Sequence, residues 1–330
     1  MSTSYQRLSQ EEREVISQCL YAGETFTTIA QRLDRSISTI SREVHAQCQY
    51  TRCYRAVRSH GKAIQLRHRQ KQVKKLDQYP LLQAYVFSRL RLGWSPQQIA
   101  DRLKIEYSNR MMMQISHESI YTYIYCLPRG SLRKELTRCL RQERNLRNQR
   151  NKAHSRRGAI QDAISIHERP KETEDRTIPG HWEGDLVMGS KASNSAMGTL
   201  VERTTRYVLL VPLVAHDAYT VRMEFAKAVA RLPRDLKYSL TYDRGSEMAQ
   251  HRLFTKDTKV QVYFADPHSP WQRGTNENTN GLLRQYFPKG IDFRTLNRAQ
   301  IQEVQDRLND RPRKALGFRT PMEVFSQLLA

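Results

Sequence analysis

His181-Trp-Glu-Gly-Asp-Leu-Val-Met188 has the composition of a β-strand and carries an aspartate, Asp185, inside it. A second run of the same kind, Tyr238-Ser-Leu-Thr-Tyr-Asp243, closes on Asp243 before Arg244-Gly245. Apolar and aromatic residues bounded by turn residues are typical of strands. We therefore expect a β-sheet to hold both carboxylates rigidly.

A third acid, Glu277, follows Asp243 after 33 intervening residues, in the polar stretch from Pro270 to Arg284. This stretch predicts a loop running into a helix, which could pack across the sheet and bring Glu277 to the two aspartates. Two Mg²⁺ ions roughly 3.5–4 Å apart can activate an attacking oxygen and stabilise a leaving one at phosphorus. Such hard cations take oxygen ligands and keep several waters, so three acids suffice.

Each acid alone also has a structural explanation. Asp185 could be a strand residue at a sheet edge or hairpin, and an aspartate before Arg-Gly, as at Asp243, is an ordinary turn former. The conjunction of both with Glu277 favours a two-metal phosphoryl-transfer site. The helix around Glu277 is rich in glycine and asparagine, which are weak helix formers. A segment whose residues do not suit its secondary structure often has a functional role.

The surrounding pattern indicates an α/β fold. One stretch, 217–232, has Val221, Phe225 and Val229 at helical spacing. Thr204-Thr205-Arg206 joins two strand-like runs as a hairpin. The strand-like runs are 182–187, 196–202, 207–213, 239–242 and 260–264. The resulting order, β-β-β-α-β-α-β-α, predicts a mixed sheet flanked by helices.

The first 50 residues predict a helix-turn-helix. Ser9 and Glu12 form a capping box that opens a helix to about Leu20, and a second helix covers 27–33. A third helix covers 36–45, with three apolar residues at helical spacing on its buried side: Ile37, Ile40 and Val44. Its outward face would present four polar residues to the DNA major groove: Ser38, Thr39, Ser41 and Arg42. An ordinary helical hairpin is the alternative.

A looser helix-turn-helix is predicted for 80–141. Ser95-Pro96 is an N-cap followed by proline at the first helical position, and Ser116 begins another helix. A basic helical linker, 51–79, would precede this domain. The segment 142–179 would be a basic flexible linker, because its Arg/Asn-rich first part has almost no apolar residues and cannot bury a core.

Charge indicates a polyanionic partner. The chain of 330 residues has 55 Lys+Arg and 33 Asp+Glu, a formal charge of +22. Residues 1–180 hold 33 of the basic and 17 of the acidic side chains. Such a surface gives salt-dependent affinity for phosphate backbones. A solvated charged face or an anionic membrane surface is the alternative.

Several classes of protein are disfavoured. There is no run of about 18 apolar residues and no signal-peptide h-region, so we expect a soluble, cytoplasmic protein. Five cysteines without C-x-x-C spacing argue against a disulfide framework or a strong zinc module. His45, Cys48, Cys53 and His60 could form a metal site only with unusual spacing.

Three motifs together resemble one family. They are His181-Trp-Glu-Gly-Asp185, the run Tyr242-Asp-Arg-Gly-Ser-Glu-Met248, and the block from Pro267 to Gly290 that contains Glu277. In this order and spacing they resemble bacterial transposases of the insertion sequence 30 family. The closing motifs, Asn309-Asp-Arg-Pro-Arg313 and Leu316-Gly-Phe-Arg-Thr-Pro-Met-Glu-Val-Phe325, are similar to the end of the integrase core of that family.

The resemblance implies a ribonuclease H-like catalytic core over 180–330, preceded by helical DNA-binding domains at 1–50 and 80–141. It makes Asp185, Asp243 and Glu277 the catalytic, metal-binding acids. It further implies two Mg²⁺ ions, for which Mn²⁺ could substitute, with cleavage at transposon ends and strand transfer into target DNA. The partners would be double-stranded DNA and at least a second copy of the chain, in a bacterial cytoplasm at the nucleoid.

Other residues near the third motif have open roles. Arg284 and Lys289 are candidate DNA contacts, with surface solvation as the alternative for Arg284. Trp271 could stack on a base, but we favour a loop anchor. For His251 and His268 a structural role is favoured over contact with the scissile phosphate.

Two rival functions remain. A DNA-binding regulator without chemistry would explain the helical domains and the charge, but it leaves the three acids without a purpose. A structure-selective nuclease of the same core fold would hydrolyse DNA without joining it. Nicking of DNA in Mg²⁺ would exclude the regulator, and joined DNA products would exclude the nuclease.

Overall fold

The computed structural model describes residues 7–48, 50–68, 73–140, 162–267 and 269–329. The chain forms two compact units, Met1–Val73 and Lys74–Ala330. None of the helices in the described ranges combines the length and the apolar character that a membrane span requires.

The first unit contains the predicted helix-turn-helix. Its helices are α1 (Gln10–Tyr21), α2 (Phe26–Arg32), α3 (Ile37–His45) and α4 (Ala56–His68). Ser9 forms the predicted capping box with Glu12. The core side chains Ile16, Ile29 and Ile40 are fully buried. The prediction of a buried Ile37 is wrong, since its side chain is 49% exposed; as the first residue of α3 it precedes the turn that packs inward.

Helix α4 belongs to the same unit, although a linker was predicted for 51–79. It packs against α1, and Tyr54 just before it is 2% exposed. A partly buried polar cluster stabilises this packing: Glu43 accepts hydrogen bonds from Arg13 Nε (2.7 Å), from Tyr54 Oη (3.2 Å) and from Ser59. The apolar and hydroxyl side chains of this basic segment are sufficient to pack it against α1.

The second unit begins with five helices. They are α5 (Lys75–Gln78), α6 (Pro80–Arg91), α7 (Pro96–Glu106), α8 (His117–Tyr125) and α9 (Ser131–Arg138). Ser95 and Ser116 are the N-caps of α7 and α8, as predicted. Helix α6 was not predicted, yet its Leu82, Val86 and Leu90 are fully buried against α7 and α8.

A five-stranded mixed sheet follows. Its strands are β1 (His181–Met188), β2 (Ala196–Glu202), β3 (Val208–Leu213), β4 (Ser239–Tyr242) and β5 (Gln261–Phe264), in the order β3-β2-β1-β4-β5. Neighbours β3, β2 and β1 are antiparallel, whereas β1, β4 and β5 are parallel. The predicted strands and the hairpin are confirmed.

Helices cover both faces of the sheet. The helices of this part of the chain are α10 (Glu172–Asp175), α11 (Ala218–Ala230), α12 (His251–Thr258), α13 (Gly274–Leu283), α14 (Arg298–Asn309) and α15 (Pro321–Ser326). Side chains alternate along β2: Leu200 packs with Phe225 of α11, and Met197 packs with Leu282 of α13. A Cβ at Gly198 would lie 2.3 Å from the Phe225 ring, so only glycine allows α11 this close.

The helices α6–α9 dock on the end of the core, within the second unit. Gln98 of α7 donates to the Pro312 carbonyl (2.7 Å) and accepts from Arg311 Nε (3.1 Å). Arg102 pairs with Glu323 of α15, with Nη1 2.8 Å from Oε2. This contact is not expected for domains joined only by a flexible linker.

The predicted linker 142–179 is described only from residue 162. That part lies on the core, since Phe264 donates from its amide to the Ile164 carbonyl (2.9 Å) and Ile166 is 7% exposed. Residues 141–161, where the Arg/Asn-rich stretch falls, are outside the described ranges.

Candidate active site

Two of the three acids lie on neighbouring strands or directly after them. Asp185 is in β1, the central strand, opposite Thr199 of β2. Asp243 directly follows β4, which runs parallel to β1. The parallel register sets Glu183 beside Thr241, so two residues further along the chain Asp185 and Asp243 lie side by side. Their side chains are 24% and 26% exposed.

Arg273 lies between these two aspartates. Its Nη1 is 3.4 Å from Asp185 Oδ1 and its Nη2 is 3.4 Å from Asp243 Oδ2. The same Nη1 donates to the Gly184 carbonyl at 3.1 Å, and the residue is only 9% exposed. One guanidinium therefore compensates both acids. Sequence reasoning missed Arg273, although its position four residues before Glu277 was a usable signal.

The electrostatics of Asp185 reflect this crowding. Burial raises the pKa of its carboxyl, the Arg273 charge opposes the rise, and the negative charge of Asp243 adds to it. Two partly buried carboxylates that share one cation form an oxygen-rich donor set of the kind that Mg²⁺ binds. The two aspartates thus supply oxygen donors of the type that a divalent metal ion takes.

Helix α13 is fastened to β1 through Glu183. This side chain is fully buried and pairs with Arg203, Nη1 to Oε1 2.9 Å, while its Oε2 accepts from the backbone amide of Asn276 at 2.9 Å. The Asn276 side chain donates in turn to the Glu183 carbonyl at 2.9 Å. The first-turn amides of a helix have no partner within the helix. Glu183 therefore supplies a cap from the sheet.

Asn280 continues this connection to Asp185. Its Nδ2 donates to Asp185 Oδ2 at 2.9 Å, and its Oδ1 accepts from the Thr199 hydroxyl at 3.0 Å. The single hydrogen of that hydroxyl is shared with Asn276 Oδ1, which lies 2.9 Å away. The asparagines that make α13 a weak helix locally are the groups that bind it to the sheet and orient Asp185.

Glu277 lies in the first turn of α13, next to Asn276, and its side chain is exposed. Within the described parts of the chain, no three His, Cys, Asp or Glu side chains converge closely enough to hold a metal ion. The structure therefore brings Asp185 and Asp243 together, and it leaves Glu277 on the adjacent helix outside that pair.

The other candidates around α13 differ in outcome. The interpretation of Trp271 as a loop anchor is wrong: its side chain is 72% exposed. Gln272 anchors the loop instead, donating to Asp266 Oδ2 (2.8 Å) and accepting from the Asp266 amide (2.8 Å). Arg284 donates to the Met188 carbonyl at 2.8 Å. Lys289 is exposed.

The histidines follow the structural interpretation where they can be placed. His251 is 3% exposed, its ring packs edge-on against Phe264 at 5.0 Å between ring centres, and its Nε2 lies 3.3 Å from the Asp162 carbonyl. It is thus held in the core. His268 lies outside the described residues.

The outward face of α3 is available to a ligand. Ser38 and Arg42 are exposed, and Thr39 and Ser41 are half-buried. Arg42 Nε donates to the Ser38 carbonyl at 2.9 Å, which holds the guanidinium along the helix. The alternative metal site of His45, Cys48, Cys53 and His60 does not form, since these described side chains do not converge; all five cysteines are free.

Two protein families match parts of this chain. Residues 4–46 match the family described as a helix-turn-helix domain, and residues 176–270 match the integrase core domain. The first match covers α1–α3. The second covers the whole sheet, including Asp185 and Asp243, and supports a ribonuclease H-like core.

Full-length relatives are also found. The transposase for insertion sequence element IS1086 of Cupriavidus metallidurans is 43% identical over 99% of this chain and 96% of its own length. The transposase InsI for IS30A of Escherichia coli is 42% identical over 98% of this chain and 84% of its own. The transposase for IS4351 of Bacteroides fragilis is 32% identical over 98% and 96%. Similarity thus extends across both compact units.

Proposed function

The chain belongs to the insertion sequence 30 family of transposases, and on that premise we propose that Asp185, Asp243 and Glu277 catalyse cleavage and joining of DNA at the ends of an insertion sequence. The observation that carries this proposal is the pair of aspartates on β1 and after β4, both 3.4 Å from the Arg273 guanidinium. Packing of a sheet does not require two carboxylates around one shared cation, whereas metal-dependent phosphoryl transfer requires clustered carboxylates.

The three acids would hold two Mg²⁺ ions, or Mn²⁺ in their place, which would supply Lewis-acid stabilisation of the attacking and leaving oxygens. The protein's own groups prepare this arrangement. Asn280 orients the Asp185 carboxylate, and Arg273 offsets the repulsion between the aspartates. Glu277 must approach from α13 to complete the set.

The chemistry has a hydrolytic step, which breaks one phosphodiester, and a transesterification step, which exchanges one phosphodiester for another. A water molecule attacks the scissile phosphorus in line, one P–O bond forms as another breaks, and a 3′-hydroxyl is released. That hydroxyl then attacks a phosphodiester of the target DNA and replaces a second leaving oxygen. No side chain becomes linked to DNA, which separates this scheme from that of tyrosine or serine recombinases.

The helical domains would supply recognition. We assign binding of the terminal inverted repeats to α3, through Ser38, Thr39, Ser41 and Arg42, with Arg284 and Lys289 as backbone contacts near the core. Joining two ends requires at least two copies of the chain in the active complex. We expect the protein to act on bacterial DNA, in the cytoplasm at the nucleoid.

The test uses Asp185→Asn, Asp243→Asn and Glu277→Gln with labelled transposon ends in Mg²⁺. Each variant should lose nicking and joining while binding the ends like the wild type. Asp257→Asn is the matched control and should keep activity, because this carboxylate is 38% exposed on α12 and pairs with Arg222 instead of Arg273. Strand transfer at the wild-type rate by any of the three variants would refute the assignment.

The rivals give different outcomes with the wild-type protein. A regulator would bind the ends and leave them intact in Mg²⁺. A nuclease would nick the ends and yield no joined product. Joined molecules that contain both an end and target DNA support the transposase alone.

A further inference from the structure

A cavity of about 430 Å³ lies on the second unit, on a flank of α13 different from the one that bears Glu277. Its walls are the start of α7, the side of α13, the hairpin turn after β2 and the segment after α14. Small ligands occupy cavities of roughly 300–1,000 Å³. At 3.6 residues per turn, the lining positions 275, 278, 279 and 282 fall together, and Glu277 falls elsewhere around the helix.

The lining is cationic. Arg176, Arg206, Arg313 and Lys314 contribute to the walls, and among the described residues no Asp or Glu does. Arg313 is 7% exposed, while Arg176 and Lys314 are exposed at the rim. Like charges in a partly buried space repel one another, and a bound anion offsets this repulsion. The composition therefore fits an anionic ligand.

Arg206 shows how the cations are held. It sits in the hairpin turn with a φ of 64°, and its guanidinium donates to the Thr275 hydroxyl in the first turn of α13. Burial lowers the pKa of Arg206, and the charge of Arg176 lowers it further. Glu183 and Glu202 oppose this lowering of the pKa, and an anion in the cavity would oppose it further while contacting α13.

The helix ends add to this field. Both α7, which begins after Ser95, and α13, which begins at Gly274, start at the cavity. The start of a helix carries a partial positive charge. Glu183 already caps the α13 end and Ser95 the α7 end, so the four cationic side chains are the main source of positive charge in this space.

We propose that this cavity binds the phosphodiester backbone of a DNA segment next to the one being cut. The inference rests on the proposed function and extends it, because it assigns a second DNA contact to the unit that carries Asp185 and Asp243. DNA held here would contact α13, the helix that must move Glu277.

The experiment compares two double variants of the full chain. Arg176→Gln with Lys314→Gln removes the exposed rim charges. Lys227→Gln with Arg231→Gln is the matched control, because these residues are exposed on or directly after α11, which packs on the opposite face of the sheet. Binding to a mixed-sequence DNA duplex is measured over a range of salt concentrations.

Each lost phosphate contact should reduce the slope of log affinity against log salt by about 0.9, so the rim variant should lose about 1.8. At 0.1 M salt this corresponds to a loss of affinity of at most about 60-fold. The control variant should keep the wild-type slope. An unchanged slope in the rim variant, or an equal loss in the control, would overturn the proposal.

A second measurement avoids substitution. Acetylation of wild-type lysines, read by mass spectrometry, should show DNA protecting Lys314 while Lys227 stays reactive. Equal reactivity of Lys314 with and without DNA would contradict the proposed site. Failure of the wild type to nick any end would count against the proposed function alone, because the salt slope and the protection need no chemistry.

Discussion

Replacing Glu183 by glutamine should destabilise the second unit strongly, because it removes one charge of a buried ion pair. Glu183 and Arg203 side chains are 0% and 6% exposed and lie 2.9 Å apart. Removing one partner of such a pair costs about 3–5 kcal/mol, because the other charge stays buried without compensation. Burial already lowers the pKa of Arg203, and Glu183 is the main opposing charge.

This cost can be measured by thermal unfolding. For domains of this size, 1 kcal/mol shifts the unfolding temperature by roughly 2–4 °C, so the Glu183→Gln variant should unfold about 6–20 °C lower. Glutamine keeps an oxygen for the Asn276 amide, so the loss reports mainly the charge. Since Glu183 caps α13, DNA cleavage by the variant should also be slower at temperatures where it remains folded.

Two controls test this explanation. Glu303→Gln breaks an exposed ion pair with Arg307, 2.6 Å long with Glu303 61% exposed, and should cost less than about 0.5 kcal/mol. Adding Arg203→Met to Glu183→Gln should recover stability, because the uncompensated charge is gone. If Glu183→Gln unfolds no lower than Glu303→Gln, or if the two replacements are simply additive, the buried pair does not hold α13.

Three further outcomes are expected. Arg42→Ala should reduce the preference for inverted repeats over unrelated DNA by about 1–3 kcal/mol in competition binding; an equal loss on both DNAs would reduce Arg42 to a backbone contact. Trp271→Ala should leave the unfolding temperature unchanged and weaken binding at the cleaved end by about 1–3 kcal/mol if the exposed ring stacks on a base; wild-type binding and cleavage would exclude stacking. Burial lowers the pKa of His181 from 6.5 to about 4. Protonation of this ring therefore leaves the free energy of unfolding unchanged above pH 6.5 and reduces it as the pH falls toward 4. Urea unfolding at pH 6.5 and at pH 4 should show that the free energy of unfolding falls by on the order of 3 kcal/mol. His181→Gln should remove this dependence on pH.

The sheet could be predicted from sequence because its signal is local. The runs that contain Asp185 and Asp243 combine β-branched and aromatic residues with turn residues at both ends, and the structure follows them to within a residue. The capping residues Ser9 and Ser95 likewise fixed the starts of their helices.

The sequence predictions failed where tertiary contacts determine the structure. Helix α6 lacks a side-chain cap and its apolar residues surround much of the helix, so its period was weak. The position of Arg273 between two acids depends on how α13 crosses the sheet, which spacing alone does not specify. Trp271 was expected to anchor its loop, but Gln272 secures that loop through Asp266 instead.

The unequal placement of the acids has a thermodynamic consequence. Asp185 lies on a strand paired on both sides, whereas Glu277 lies outside the aspartate pair on a helix tied down through polar contacts. In the closed arrangement, Glu277 has reached Asp185 and Asp243. A cation that needs carboxylate oxygens from all three acids binds the DNA-free protein with an affinity reduced by the fraction of molecules in this arrangement. DNA that favours this arrangement must then tighten cation binding, and by linkage the cation must tighten DNA binding by the same factor. A titration in which each ligand leaves the affinity of the other unchanged would show instead that Glu277 does not need to move.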